Sequence, residues 1–120
     1  MNSSSPTLTS DNDGCMVYVT AGSAEEAKAI AQAAVRERLA ACANILGPMT
    51  SIYRWQGAIE ESQEFVLICK TRRKLADALA ALVRRLHSYD TPCIVVYDMA
   101  AGLPAYLAWI AAETEGAARS

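Results

Sequence analysis

Four cysteines and a single histidine are the side chains in this 120-residue chain best suited to hold a soft metal or to act as nucleophiles. The cysteines stand at positions 15, 42, 69 and 93, with no CxxC or CxxH spacing, which argues against a structural zinc knuckle. His87 follows the last apolar residue of a helical repeat, where the helix dipole favours its charged form, so capping is the simplest role for it. One imidazole cannot supply two histidine ligands. Any metal site must therefore lean on thiolates, carboxylates or a second copy of the chain. Cys93 lies beside the loop that carries His87, and the spacing allows the two to pair. Cys42 falls early in a run of small residues, where a thiol commonly serves as a small hydrophobe. Cys15 and Cys69 fall inside strand-like runs and read as core.

Ser88 and Asp90 flank His87, but residues one and three apart in one loop rarely align for proton transfer. There is no Gly-x-Ser-x-Gly nucleophile elbow either. Gly22, Gly47, Gly57 and Gly102 are isolated, so no phosphate-cradling loop is present. Lys70, Arg72, Arg73 and Lys74 could hold an anion, although a solvated helix start accounts for them. Glu60, Glu61 and Glu64 read as a charged hairpin edge that discourages sheet aggregation, with a weak surface cation site as the lesser reading.

These residues must be positioned by a central hairpin. Ser51–Trp55 and Glu64–Thr71 are rich in aromatic and β-branched residues, and Gln56-Gly57 between them suits a tight turn. Upstream, Cys15–Thr20 reads as a strand covered on both faces. Ser23-Ala24-Glu25-Glu26 forms a capping box for a helix over about Ala24–Leu39, with Ala27, Ile30, Ala31, Ala34 and Leu39 on its apolar stripe. A strand then begins at Ala40–Leu46, and Gly47-Pro48 implies a bulge or bend before the hairpin. Downstream, Leu75, Ala78, Leu79, Leu82 and Leu86 mark an amphipathic helix over Arg72–Leu86. Cys93–Met99 reads as a last strand, and a final helix starts at about Leu103, with Pro104 in its first turn.

The order strand, helix, strand, strand, helix, strand, then an added helix predicts an α+β, ferredoxin-like antiparallel sheet with a long central hairpin and a C-terminal helix. Residues 1–13 are expected to form a disordered N-terminal tail, 14–114 a single domain and 115–120 a C-terminal tail. Such a sheet leaves one face bare, and Tyr53, Trp55, Phe65 and Trp109 need more cover than one subunit offers. Exposed apolar area on that scale marks association.

The totals narrow the function. A net charge of −2 gives no electrostatic case for nucleic acid or an anionic membrane as partner. No apolar run approaches the roughly 20 residues of a membrane span. The polar, Ser-rich start lacks the basic and apolar regions of a secretory signal, so a cytoplasmic location with reduced thiols is the expectation.

Several pieces closely resemble the CutA (divalent cation tolerance) family: VTAGSAEEA near the start, RLAACANILGPMTSIYRWQGAIEES (38–62), LICKT (67–71), LHSYDTP (86–92) and YLAWI (106–110). Together they run from about residue 16 to 112. The resemblance implies a ferredoxin-like subunit in a tight homotrimer, whose long hairpins extend the sheets between subunits. It also implies a role in tolerance of copper and other divalent cations, with no settled enzymatic activity. The site suggested for the family in the intersubunit cleft, of Cys, His and carboxylate character, would here become Cys42, His87 and Cys93, because Pro92-Cys93 replaces the family's usual Pro-Glu. His87-Ser88-Tyr89 likewise replaces the usual His-Pro-Tyr. Exchanging a carboxylate for a thiolate either shifts preference toward Cu(I) or Zn(II) or removes the site. The rival expectation is a small-molecule sensor or partner-docking trimer in which metal effects are incidental. Nitrogen-regulatory PII trimers offer an analogy for it at the level of fold alone.

Overall fold

The computed structural model describes residues 7–117. Its elements are β1 (Gly14–Ala21), α1 (Ala24–Arg36), β2 (Cys42–Trp55), β3 (Ala58–Arg72), a single 3-10 turn (Arg73–Leu75), α2 (Ala76–Leu86), β4 (Ile94–Asp98) and α3 (Pro104–Glu113). The four strands form one sheet in the order β2-β3-β1-β4, every pairing antiparallel. This is the ferredoxin-like arrangement expected from the order of elements. No helix among the described residues is long and apolar enough to cross a membrane.

The hairpin is the longest feature. Pairing runs from Cys42↔Lys70 to Trp55↔Ala58, well past the end of β1, where Ala21 faces Phe65. Gln56 and Gly57 both have positive φ, 50° and 83°, which is the geometry of a type I′ two-residue turn matched to strand twist. The irregularity implied by Gly47-Pro48 is present as a register shift between Leu46 and Met49. At Gly47, with φ of 149°, a Cβ would lie 2.6 Å from the Phe65 ring, so only glycine fits.

The core lies between the sheet and the α1/α2 pair. Cys15, Val17 and Val19 of β1 and Leu67 and Cys69 of β3 pack with Ile30, Ala34, Leu79, Leu82 and Val83. Both Cys15 and Cys69 are therefore core residues, as expected. The small alanines of α1 let the helix sit close on the strands. Side chains alternate across a strand, so Lys70 points away from Cys69; its ammonium lies 5.6 Å from the Tyr106 ring centroid. Thus α3 covers part of the second face. Arg72 fixes it there, donating from Nε to Thr114 Oγ1 (2.9 Å) and from a terminal nitrogen to the Thr114 carbonyl (3.1 Å).

Four boundaries differ from expectation. The first helix ends at Arg36 rather than Leu39, because Arg38 adopts a left-handed φ of 59°. Leu39 N–H then donates to the Ala34 carbonyl and Arg38 N–H to that of Val35, a Schellman closure with arginine where glycine is usual. Leu39 is buried all the same. Arg72 ends β3 instead of opening a helix, and α2 begins only at Ala76. Part of the segment expected to be a tail, 1–13, is joined to the fold. Residues 1–6 lie outside the described residues, but Thr9 exchanges two backbone hydrogen bonds with Gly102, and the Asp13 carbonyl accepts from Arg73 N–H. At the other end Ala117 packs on the core, while 118–120 lie outside the described residues.

Candidate functional site

His87 immediately follows α2, and its ring is turned inward with a fully buried side chain. Its Nε2 lies 2.8 Å from the Thr20 carbonyl oxygen at the end of β1. A carbonyl only accepts, so Nε2 carries the proton. Tyr89 N–H then donates to Nδ1 at 3.1 Å. Both ring nitrogens are used, and the Tyr89 ring sits against the imidazole with centroids 4.7 Å apart. His87 ties the loop after α2 to the central strand.

Glu26 completes the knot. Ser23 Oγ accepts from Glu26 N–H at 3.1 Å, the half of the capping box that the sequence implied. The Glu26 carboxylate, however, reaches past Ser23. It accepts from Gly22 N–H (3.4 Å) and Ser88 N–H (2.6 Å), and lies 3.6 Å from His87 Nδ1. Burial pushes this carboxyl up, but the Ser88 bonds, His87 and the Gly22 N–H together hold it below the usual carboxylate value.

The three residues suggested as ligands are not brought together within one chain. Cys42 opens β2 at one sheet edge, and Cys93 immediately precedes β4 at the other. Three strand spacings separate them, about 14 Å before any offset along the strands. Cys42 is half-buried, its Sγ 3.7 Å from the Tyr106 hydroxyl, and Cys93 is exposed. His87 offers no lone pair outward. Among the described residues no group of three His, Cys, Asp or Glu side chains could hold a metal ion. The donor set of a single chain therefore does not fit a resident metal.

A different cleft opens along the hairpin. Tyr53, Trp55, Glu60, Glu64, Tyr89 and Asp90 line a cavity of about 310 Å³. Tyr53 faces Glu60 across the ladder, and the Tyr89 hydroxyl donates to Glu64 Oε2 at 3.2 Å. Burial first, then the Glu64 carboxylate, pushes the Tyr89 phenol up from its ordinary value, so it stays a donor. This grouping went unseen in the sequence, although one signal was available. Counting back from a two-residue turn at Gln56-Gly57 puts Tyr53 opposite Glu60. Only the fold brings Tyr89 and Asp90 to meet them.

Residues 15–113 match the model of the CutA1 divalent ion tolerance protein family. The chain belongs to that family. It is 46% identical over 99 residues to the divalent-cation tolerance protein CutA of Thermus thermophilus, covering 82% of this chain and 96% of that one. It is 40% identical over 103 residues to mouse Protein CutA, covering 86% of this chain but 58% of the mouse protein, so it spans little more than half the length of that relative. Among solved structures, CutA from Xylella fastidiosa superposes with a TM-score of 0.85 at 36% identity, covering 87% of this chain and 100% of that one. CutA from Synechococcus elongatus gives 0.86 at 34% identity, covering 92% and 97%. These solved CutA structures share the fold described above.

Proposed function

We propose that this chain is a non-catalytic homotrimeric protein acting in the response to copper and other divalent cations, with its responsive surface between subunits. The observation that carries the reading is a pair of open sheet edges beside exposed apolar side chains. β2 and β4 each have a neighbour on one side only, and Ile45, Leu46, Ile52, Val95 and Tyr97 are all exposed in the single chain. Unpaired edges invite strand addition, and apolar area of this kind is covered by association. Membership of a family named for divalent ion tolerance supplies the physiological context. In this reading any thiol contact to an ion joins Cys42 and Cys93 of different copies. His87 is not among the ligands, because both of its nitrogens are used internally.

The test is a growth comparison on graded Cu(II) and Zn(II). Cells lacking the chain are expected to lose tolerance, and the wild type to restore it. A variant with Ile45→Lys and Val95→Lys, kept monomeric by charge on both edges, is expected not to. Equal tolerance with and without the chain across both ions overturns the proposal. A second reading, small-molecule sensing by the same assembly, is favoured by the aromatic and carboxylate cleft along the hairpin.

A further inference from the structure

We infer that the hairpin cleft is a binding site for an organic ammonium cation. The inference gives the second reading its ligand class and rests on that reading.

Three aromatic rings and three carboxylates border one cavity: Tyr53, Trp55 and Tyr89 with Glu60, Glu64 and Asp90. Aromatic faces carry the negative part of the ring quadrupole, and cages of this composition recognise quaternary or alkyl ammonium groups. The ion pairs among the described residues, Arg38–Glu113 and Arg73–Asp98, and the contact of His87 with Glu26 involve none of these three carboxylates. Among the described residues no lysine or arginine lines the cavity, so they leave its negative charge uncompensated.

The wall is also built rather than incidental. Tyr89 is held at three points: its N–H on His87 Nδ1, its ring against the imidazole, and its hydroxyl on Glu64 Oε2. Gly22 makes room for it, since a Cβ there would come 3.0 Å from the Tyr89 hydroxyl oxygen. Tyr53 is fixed by its hydroxyl donating to Ser62 Oγ at 3.3 Å. Trp55, 59% exposed, is the open side of the cleft. An inorganic divalent ion is the poorer match. It needs converging oxygens, and these carboxylates do not form a metal-holding group.

The experiment is calorimetric titration of the whole protein with choline, with the primary amine putrescine, and with 3,3-dimethylbutan-1-ol, the uncharged isostere of choline. Saturable binding of either ammonium is expected, with the neutral isostere at least about tenfold weaker. Trp55→Ala and Glu60→Gln, both at exposed positions that leave the fold intact, are each expected to weaken binding about fivefold or more. Equal binding of the neutral isostere overturns the inference. So does unchanged affinity in both variants, or absence of saturation for both ammonium probes at millimolar concentration. Sedimentation of the same samples reports subunit number separately, so a failed cleft and a failed assembly are told apart.

Discussion

Replacing His87 with alanine should destabilise the protein by about 3 kcal/mol, and by the same amount with or without metal. The magnitude follows from what the ring touches. Removing Nε2 leaves the Thr20 carbonyl, on a buried residue, without its donor. An orphaned buried acceptor costs about 1–3 kcal/mol. Tyr89 N–H loses Nδ1, but Tyr89 is exposed and water can replace that bond, so about 0.5–1 kcal/mol is appropriate there. The buried ring leaves a void, which adds about 1 kcal/mol after partial collapse. His87→Gln, which keeps a donor within reach of Thr20, should recover roughly half of the loss. The assay is urea unfolding at fixed protein concentration, once with chelator and once with Zn(II). A loss below about 1 kcal/mol, or one that appears only when Zn(II) is present, would refute the view of His87 as an internal tie and restore it as a ligand.

Three further outcomes are expected. In the native protein a thiol reagent should label Cys93 and, more slowly, Cys42, while Cys15 and Cys69 react only after unfolding; rapid native labelling at all four positions would contradict the packing. Burial pushes the Cys15 thiol up to about 11 and that of Cys69 up to about 12, from an ordinary value near 9. Because the folded values are raised, their contribution is full below pH ~9 and declines as pH rises toward 11 and 12, so unfolding free energy should fall across that window and fall less in Cys69→Ala. The buried Thr71 hydroxyl has no hydrogen-bond partner among the described residues, so Thr71→Val, of similar shape, should raise stability by about 1 kcal/mol in urea unfolding; a loss would mean the hydroxyl is satisfied.

How far the sequence disclosed this molecule depends on whether the signal was local. Turn chemistry at Gln56-Gly57, the irregularity at Gly47-Pro48, the capping serine and the apolar repeats of both major helices act within a few residues, and each is where its pattern places it. Local signals failed where a residue took a role unusual for its type. Arg38 closes α1 in a left-handed conformation normally given to glycine, so the helix pattern ran on to Leu39. The polar start looked unstructured, yet backbone bonds at Thr9 and Asp13, invisible to composition, join it to the body. The candidate site was harder to read because it is assembled across the fold. His87 ends a helix, but its partners are a carbonyl 67 positions away and the next residue but one. Cys42 and Cys93 resemble a ligand pair on paper and stand on opposite sheet edges once the strand order is known. Tyr53 and Trp55, expected only to need cover, share a cleft with Glu60 and Glu64, read first as a charged hairpin edge and second as a weak cation site.

The central claim is that the open edges of β2 and β4 are satisfied by further copies of the same chain. Sedimentation equilibrium of the reduced, tag-free protein at micromolar concentration tests it most directly. The account predicts one species at three times the 12.9 kDa chain mass, shifting to a single chain in the Ile45→Lys, Val95→Lys variant. A wild-type protein that sediments as a single chain throughout that range would contradict it.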